Sequence, residues 1–506
     1  MGKMESQAYD GVANEAGRAG GGQYGITNYQ SPKPIYAKLD RLMALPPIGI
    51  KAAAMEEYLK FFERSCAKSK KIVVEAKSYI PGGVQHNLAF NYPFPVVFTR
   101  AEGAYLHDID GNRYIDFLQA GGPTILGSNP REVREPVIEL LNECGPVTGL
   151  FHEFELKIAK EICRHMPAVE KFRMLGSGTE AVMTAIRIAR LHTGKKNILK
   201  IGGAYHGWSD QMVYSLKLPG SRRFEAHGIP RVCTKYTCEA KPNDLASLER
   251  NLRLNKIRGG TAAVIIEPVG PESGTRPVDK DYNAGVRRLC DKHGALLIFD
   301  EVVTAFRIGL GGAQGYFDVR PDLTVFGKIV GGGYPSAGGV GGRRDLIDLL
   351  AAGLESGKKK CYSGGTLAAN PLTSVAGYYT IKEIERTNAC VKAGLAGDRL
   401  TQGLVELIDR LELPYVAYNQ GSICHLETAA GMFIKLDWLK IFKVLKEIKV
   451  RKLEMEKFGA AYMAEGVVTL AGSRMYTSAA TTDEVVDDAL VRFARVFANI
   501  DREGIK

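Results

Sequence analysis

The amino-acid sequence predicts an α/β protein built around a mostly parallel sheet. Between about residues 135 and 345, stretches with helical periodicity alternate with short apolar runs: Phe172–Leu175, Ile198–Ile201, Ala263–Ile266, Leu296–Phe299 and Leu323–Phe326. Strands that alternate with helices form a parallel sheet that is covered on both faces. Many of the 57 glycines follow directly after these runs, where a loop must turn sharply.

The chain on either side of this region predicts shorter elements. Residues 1–30 are polar and Gly-rich, which predicts disorder. Apolar residues at helical spacing predict a helix over Lys51–Lys77, and two short strands are expected around Val96–Arg100 and Ala104–Asp108. Near the C-terminus, the Lys-rich stretch 436–458 predicts an amphipathic helix at the surface or at a subunit interface, with a membrane-surface helix as the alternative.

Composition and charge exclude several classes of protein. Hydrophobic residues make up 45% and charged residues 24% of the 506 residues, as in ordinary globular chains. The net charge of +11 is dispersed, so we expect no nucleic-acid partner. No apolar run approaches the roughly 18 residues that cross a bilayer, and residues 1–22 show no secretory signal. The nine cysteines lack the spacing of a zinc site, so we expect no metal. We interpret them as reduced thiols, which are typical of a cytoplasmic protein. The lack of a long apolar run predicts no membrane partner.

A Gly/Ser/Thr turn, GSGTEA at residues 176–181, stands between an apolar run and a helical pattern. A helix N-terminus of this kind attracts anions, because its free N–H groups and the helix dipole both point at the ligand. The turn also matches the dinucleotide fingerprint, but the next strand ends at Leu199–Gly202 without the acidic residue that a nicotinamide cofactor needs. A site for a phosphate-bearing cofactor and an ordinary helix cap are the two interpretations.

Two further charged residues end apolar runs. Asp300 ends ALLIFD, at the edge where open α/β sheets bind ligands, and it could pair with a metal, a ribose or a protonated heterocycle, or cap the next segment. Lys328 ends DLTVFGK just before a glycine-rich loop, which makes it a candidate Schiff-base nucleophile. A phosphate cup, a strand-end carboxylate and a strand-end lysine are together what pyridoxal 5'-phosphate requires.

With these motifs, the sequence resembles the class III pyridoxal-phosphate aminotransferases, and among them the glutamate-1-semialdehyde aminomutases and their aminotransferase relatives. The resemblance runs from about Tyr79 to Ile381. It rests on segments in the family's order: YIPGG at 79–83, DIDGNRYIDF at 108–117, GSGTEA at 176–181, AYHG at 204–207, IIEPV at 265–269, LLIFDEVVTAFR at 296–307, PDLTVFGKIVGGG at 321–333 and GGTLAANP at 364–371.

The resemblance implies an α/β fold of the type I, aspartate-aminotransferase-like kind. In that fold a large domain holds the mostly parallel sheet, and a small α+β domain is built from both chain ends. We therefore expect four segments: a partly disordered N-terminal extension (1–50), the first part of the small domain (51–130), the large cofactor-binding domain (131–375) and the C-terminal part of the small domain (376–506).

The resemblance also implies a role for each matching residue. Lys328 would form the internal aldimine with the cofactor, Asp300 would pair with the pyridine nitrogen, and Tyr205 would stack on the ring. The further cofactor-binding residues are Ser177, Gly178 and Thr179 of the phosphate cup, Glu267 and Val302 near the ring, and Thr366, which would reach the phosphate from the neighbouring subunit. The last match implies a homodimer with shared active sites.

Candidate substrate residues lie where this chain departs from the family. The aminomutases carry an Arg shortly after the YIPGG-like segment, whereas this chain has His86 about where related β-amino-acid transaminases carry theirs. A neutral His is a poorer carboxylate partner than a bidentate Arg. Glu272 falls where ω-aminotransferases often carry a Glu that pairs with a mobile Arg. Arg474 is a candidate for that Arg, and a solvent-exposed arginine is the alternative.

The function implied by the resemblance is transfer of an amino group between an amino acid and a keto acid. An aminomutase of the glutamate-1-semialdehyde type and an amino-acid racemase or epimerase are the alternatives, because all three share these motifs. We expect an amino acid with an apolar or extended side chain, rather than glutamate 1-semialdehyde, as the preferred substrate. This rests on the missing Arg and on aromatic surface supplied by Phe90, Tyr92, Phe94 and Trp208.

Overall fold

The structure of the protein is a computed structural model that describes residues 24–145, 149–351 and 359–502. The disorder predicted for residues 1–23 lies outside the described residues. The helices are α1 (Pro32–Ala44), α2 (Ala52–Ser65), α3 (Ala67–Ala76), α4 (Arg131–Glu143), α5 (Glu153–His165), α6 (Gly178–Thr193), α7 (Leu245–Lys256), α8 (Tyr282–His293), α9 (Gly312–Tyr316), α10 (Arg344–Ile347), α11 (Pro371–Thr387), α12 (Ala389–Arg410), α13 (Ile441–Ala464) and α14 (Asp483–Phe497).

The strands form three sheets. They are β1 (Phe98–Glu102), β2 (Tyr105–Asp108), β3 (Arg113–Asp116), β4 (Lys171–Leu175), β5 (Asn197–Ile201), β6 (Thr237–Ala240), β7 (Thr261–Ile266), β8 (Leu296–Asp300), β9 (Leu323–Gly327), β10 (Gly338–Gly342), β11 (Val416–Gln420), β12 (Ile423–Glu427), β13 (Val467–Val468) and β14 (Arg474–Tyr476). Among the described helices, none is both long enough and apolar enough to cross a membrane.

The largest sheet has seven strands in the order β4-β10-β9-β8-β7-β5-β6. Its strands are parallel except β10, which runs antiparallel to both neighbours. Strands β5, β7, β8 and β9 are buried along their whole length, because α6 packs on one face of the sheet, whereas α7 and α8, and α5 against β9, pack on the other. The mostly parallel sheet predicted from the sequence is confirmed.

Two strands of this sheet, β6 and β10, were not among the predicted apolar runs, and β10 has the sequence GGVGG. Glycine is depleted in strands, so a glycine-rich segment predicts a loop. The structure shows why glycine stands here: a Cβ atom at Gly338 would collide with the backbone of Ser177, and one at Gly339 would collide with the ring of Phe172. The strand therefore lies directly against the turn that precedes α6.

Both ends of the chain share a second core. The sheet β1-β2-β3-β13 joins strands from the two ends, and β11-β12-β14 forms a separate three-stranded sheet. The helix predicted over Lys51–Lys77 is two helices, because the first N–H groups of α3, from Lys68 and Ser69, donate to the Asp110 carboxylate and begin a new helix. Buried side chains of α1 and α2 pack with those of α13 and α14, among them Leu39, Leu42, Met55, Phe62, Phe458 and Phe493. The four-segment division of the chain stays a prediction.

Residues 24–30, for which disorder was predicted, are ordered. The Gly25 N–H donates to the Ile308 carbonyl at 2.9 Å, and Ile26 is buried. The Tyr29 hydroxyl donates to the Val278 carbonyl at 2.7 Å. Gly25 lies against the backbone of Gly394 with no room for a Cβ atom. Glycine here permits a close backbone contact. The prediction of disorder for these residues, which was based on their glycine-rich composition, is therefore wrong.

Helix α13 covers the Lys-rich stretch and lies at the surface. Val444 and Phe458 on its inner side are buried, whereas Phe442 on its outer side is 86% exposed. The predicted amphipathic character is therefore present as a buried and an exposed side of one helix.

Candidate active site

The candidate site lies at the edge of the large sheet where β4, β8 and β9 end. Parallel strands bring their carboxyl ends to the same edge, so the loops that follow these three strands meet there. Val302 lies at the meeting point: Cβ atoms placed on Gly178 and Gly327 would stand 2.9 and 3.0 Å from its methyl groups. The structure thus brings together the predicted phosphate cup, the Asp300–Val302 segment and the strand-end Lys328.

The Lys328 amine has a defined position. Its Nζ donates to the Gly121 carbonyl at 2.6 Å. A Cβ atom on Gly122 would lie 3.5 Å from Lys328 Cδ, so the lysine stem rests on the Gly121–Gly122 turn. Lys328 itself has a φ of 51°, a left-handed conformation that non-glycine residues adopt at a cost and that often marks functional sites. Sequence reasoning missed this turn, although a Gly-Gly pair shortly after β3 was visible.

Asp300 is paired with a residue that the sequence analysis did not select. The Asp300 carboxylate contacts Nδ1 of His206 at 2.7 Å and also accepts from the Val302 N–H at 3.2 Å. The His206 side chain is fully buried, and burial lowers its pKa. A neutral ring must carry its proton on Nδ1 to donate to Asp300. His206 follows Tyr205 directly in the AYHG segment, so its place in that motif could have identified it as a site residue.

Glu267 joins the AYHG turn to the 272–273 loop. Its carboxylate is buried and accepts hydrogen bonds from the Tyr205 N–H at 2.9 Å, the Glu272 N–H at 2.8 Å and the Ser273 hydroxyl at 3.0 Å. Burial raises the pKa of Glu267, and the nearby carboxylates of Glu272 and Asp300 raise it further. Glu267 thus fixes the backbone of Tyr205, whose own side chain is 47% exposed.

The α6 N-terminus fits a phosphate group. Ser177 is the N-cap residue, and its hydroxyl accepts from the Glu180 N–H at 3.2 Å. Glycines surround this helix start: a Cβ atom on Gly207 would lie 2.5 Å from the Thr179 hydroxyl, and one on Gly338 would meet the Ser177 backbone. A helix start lined by glycine backbone presents N–H groups without side chains that block an anion. The residues present therefore suit a phosphate-bearing cofactor.

Two of the candidate substrate residues pair with each other. Arg474 Nη2 contacts Glu272 Oε1 at 3.0 Å and donates to the Thr275 hydroxyl at 3.2 Å. The Arg474 side chain is only 13% exposed, so the alternative of a solvent-exposed arginine is wrong. The sequence pattern did not show that β14 carries Arg474 into the sheet beside β12.

The other candidate substrate residues are more exposed. Trp208 is 74% exposed, and the exposed His86 accepts from the Leu88 N–H at 3.1 Å. The side chain next to the lysine turn is that of Leu88, whose Cδ1 would lie 3.0 Å from a Cβ atom on Gly121. Sequence reasoning did not select Leu88. It selected Phe94, which is buried against Phe62 in the second core.

Thr366 directly follows a residue that lies against the first turn of α6: a Cβ atom on Gly365 would stand 3.2 Å from Glu180 Oε2. Thr366 itself is exposed and lies in a turn over residues 366–369, ahead of α11. Its contact with a cofactor phosphate in a neighbouring subunit stays a prediction.

Comparisons with known proteins agree with this geometry. The family model Aminotransferase class-III matches residues 88–497. A glutamate-1-semialdehyde 2,1-aminomutase of Lachnoclostridium phytofermentans is 38% identical over 367 residues, covering 70% of this chain and 83% of that protein. The structure of an omega-transaminase from Sphaerobacter thermophilus is similar with a TM-score of 0.74 at 25% identity, covering 87% of this chain and 99% of that one. A beta-phenylalanine aminotransferase from Variovorax paradoxus gives a TM-score of 0.74 at 25% identity, covering 88% and 96%.

The match spans most of the chain, and it confirms the predicted type I α/β fold and the predicted cofactor. The chain therefore belongs to the class III aminotransferases, enzymes that use pyridoxal 5'-phosphate.

Proposed function

We propose that the chain transfers an amino group between an amino acid with an apolar or extended side chain and a keto acid, with Lys328 as the residue that holds the cofactor covalently and moves the proton. One observation carries the proposal: the Lys328 amine, the Asp300–His206 pair and the α6 N-terminus lie at one edge of one sheet. These are the three parts that pyridoxal-phosphate chemistry needs.

Each part has a separate task. When bound, pyridoxal 5'-phosphate supplies an electron sink that makes the Cα–H bond of an attached amino acid acidic. The N–H groups at Ser177, Gly178 and Thr179 would hold its phosphate, and Tyr205 would cover its ring. Val302 would lie between the phosphate cup and Lys328, because it contacts both Gly178 and Gly327. Glu267 would act on the ring through Tyr205, from whose backbone N–H it accepts a hydrogen bond.

The Asp300 carboxylate would keep a proton on the pyridine nitrogen. A buried carboxylate stays ionised only where hydrogen-bond donors compensate the loss of water. Asp300 has two such donors, the His206 ring and the Val302 N–H. His206 therefore supports the reaction by orienting Asp300 and stabilising its charge, while burial keeps the imidazole neutral.

Lys328 would act as the general base and acid at the substrate Cα. Its Nζ donates to the Gly121 carbonyl, so this hydrogen bond would stabilise the lysine while it carries the proton. Transamination needs this proton to be delivered to a different carbon from the one that lost it. A single flexible amine at the sheet edge can serve both positions.

The surroundings of the amine support an apolar or extended substrate side chain. Leu88 packs on the same turn as the amine, and the guanidinium of Arg474 is already neutralised by Glu272. A substrate carboxylate would have to displace that ion pair, whereas an apolar side chain gains from burial against Leu88. An aminomutase acting on glutamate 1-semialdehyde is the second candidate, favoured by the name of the 38% identical relative.

We further propose a cytoplasmic homodimer with composite sites. The nine cysteines are all free thiols, which suits a reducing compartment. Thr366 is exposed in its own chain, as expected for a residue that serves a neighbouring site. Hybrids of Lys328→Ala and Thr366→Ala subunits would contain one fully intact site, so mixing the two variants should recover activity. A fully active monomer would contradict the proposal.

Two measurements test the reaction itself. Borohydride reduction of the holoenzyme followed by peptide mapping should label Lys328, and label on another lysine would refute the assignment. A panel of apolar, aromatic, basic and acidic amino acids should convert the cofactor spectrum to that of pyridoxamine phosphate, with the highest kcat/KM for apolar or extended side chains. If glutamate 1-semialdehyde has the highest kcat/KM and yields 5-aminolevulinate, the enzyme is an aminomutase.

A further inference from the structure

Arg307, in the loop between β8 and α9, holds three distant segments together. Its fully buried Nη1 donates to the Ser422 hydroxyl and the Thr477 carbonyl, both at 3.1 Å. Its Nη2 donates to the Gly122 carbonyl at 2.5 Å and to Gln119 Oε1 at 3.3 Å. All four acceptors are neutral, and within the described part of the chain no carboxylate lies within ion-pair distance of this guanidinium.

This arrangement is energetically expensive. Burial lowers the pKa of Arg307 to about 10. Replacing buried charge with well-packed apolar side chains is often neutral or stabilising, so packing alone gives no reason for a guanidinium here. The ring of Tyr476, 4.9 Å from the guanidinium carbon, compensates part of the cost by a cation–π contact. Unlike an apolar side chain, the guanidinium links its four acceptors by hydrogen bonds.

One of the tied segments is a strained turn. Four successive residues, Gln119, Ala120, Gly121 and Gly122, have φ values of 46°, 53°, 85° and 116°. Non-glycine residues in the left-handed region cost on the order of 1–3 kcal/mol each and persist only where the surroundings hold them. Arg307 bonds the turn at both ends, through the Gln119 side chain and the Gly122 carbonyl.

The same turn positions the Lys328 amine. The Gly121 carbonyl accepts from Nζ at 2.6 Å, and Gly122 lies against the lysine stem. A shift of the turn would therefore shift both the stem and the hydrogen-bond acceptor of the amine. The α6 N-terminus would not move with it, because Arg307 makes no hydrogen bond to that helix among those found in the described residues.

We propose that Arg307 is a positioning residue that locks the 119–122 turn and thereby aims the Lys328 amine at the bound cofactor. This rests on the proposed function of Lys328. Arg307→Lys keeps the positive charge but cannot serve four acceptors with one ammonium group. The cofactor should still bind through the phosphate cup, whereas its covalent capture by Lys328 should slow, because a displacement of about 1 Å can cost up to about 100-fold in rate.

The test separates capture from binding. Full-length apoenzyme is mixed with pyridoxal 5'-phosphate, and timed samples are reduced with borohydride so that mass spectrometry can quantify label on Lys328. Cofactor affinity is measured separately by protein fluorescence. For Arg307→Lys we expect capture about tenfold slower or more, with affinity within about threefold of the wild type.

Arg451→Lys is the matched control. Arg451 is also buried and donates to the carbonyls of Ala429, Met43 and Leu45, but it lies in the second core and, unlike Arg307, it also pairs with a carboxylate, that of Glu447 at 3.0 Å. It should lose stability as Arg307→Lys does and keep the wild-type capture rate. An unchanged capture rate in Arg307→Lys overturns the proposal, and so does an equal loss of capture and affinity, which would indicate a purely structural role.

Two further outcomes are decisive. If Arg307→Lys does not fold, Gln119→Leu, which removes a single acceptor, should slow capture about threefold, and an unchanged rate again overturns the proposal. Absence of label on wild-type Lys328 refutes the proposed function and this inference with it. Label on the wild type together with normal capture in both variants refutes this inference alone.

Discussion

Replacing Gly207 with alanine should weaken cofactor binding, because a methyl group here would push on the proposed phosphate cup. Gly207 has a φ of 80°, and its Cβ atom would lie 2.5 Å from Thr179 Oγ1 and 2.8 Å from Thr179 Cα. The left-handed backbone costs alanine about 1–2 kcal/mol. Moving a packed backbone to make room costs about 1–3 kcal/mol more.

Gly220→Ala isolates the second cost. Gly220 lies in the same long loop after β5 and has a φ of 81°, but no atom lies within 4 Å of its added Cβ position. The two variants therefore share the backbone cost and differ in the contact with Thr179. A difference of 1–3 kcal/mol corresponds to a cofactor dissociation constant about 5- to 150-fold higher for Gly207→Ala than for Gly220→Ala.

Fluorescence titration of the apoenzymes with pyridoxal 5'-phosphate measures both constants, and thermal unfolding of the apoenzymes measures the shared backbone cost. Equal affinities in the two variants would refute the assignment of Thr179 to the phosphate cup.

The remaining predictions concern three titratable side chains, those of Asp300, Glu272 and His425. Asp300→Asn should lower the rate of Cα–H exchange with deuterium far more than it lowers cofactor affinity, because only the exchange needs a protonated ring nitrogen. A near-normal exchange rate would contradict the role of Asp300. Glu272→Gln frees Arg474, so the ratio of kcat/KM for acidic over apolar substrates should rise about tenfold, and an unchanged ratio would argue against a gate. Burial, reinforced by the charge of Arg474, holds the pKa of His425 well below its usual value, so the unfolded chain binds more protons below pH 6.5 and stability falls as pH falls. His425→Phe should therefore make the denaturation free energy less dependent on pH between 5 and 6.5, by up to about 1.4 kcal/mol per pH unit.

Local patterns predicted those parts of the fold and site that depend on short stretches of chain. The apolar runs gave β4, β5, β7, β8 and β9, because strands buried on both faces are continuous runs of apolar residues. Asp300 and Lys328 were visible because each ends such a run. Parallel strands then carry both residues to the same sheet edge, which periodicity alone implies.

Other parts depend on contacts between segments distant in sequence, and no local pattern shows them. Arg307 contacts residues 185 or more positions before it and 115 or more after it. Leu88 lies against Gly121, whose carbonyl accepts from Lys328, a residue 207 positions further along the chain than Gly121. Strand β10 is composed mostly of glycine, so its strand character comes from its neighbours rather than from its own propensity.

The buried side chains of α1 and α2 have a practical consequence for anyone who shortens this protein. The family match begins at residue 88, yet Leu39, Leu42 and Phe62 upstream of it are almost completely shielded from water by the rest of the fold. A fragment trimmed to residues 88–497 would leave a large apolar surface uncovered, the kind of surface that drives aggregation. Homology therefore marks the wrong place to cut, and a soluble fragment must retain Tyr24, which pairs with Gly309 in the loop before α9.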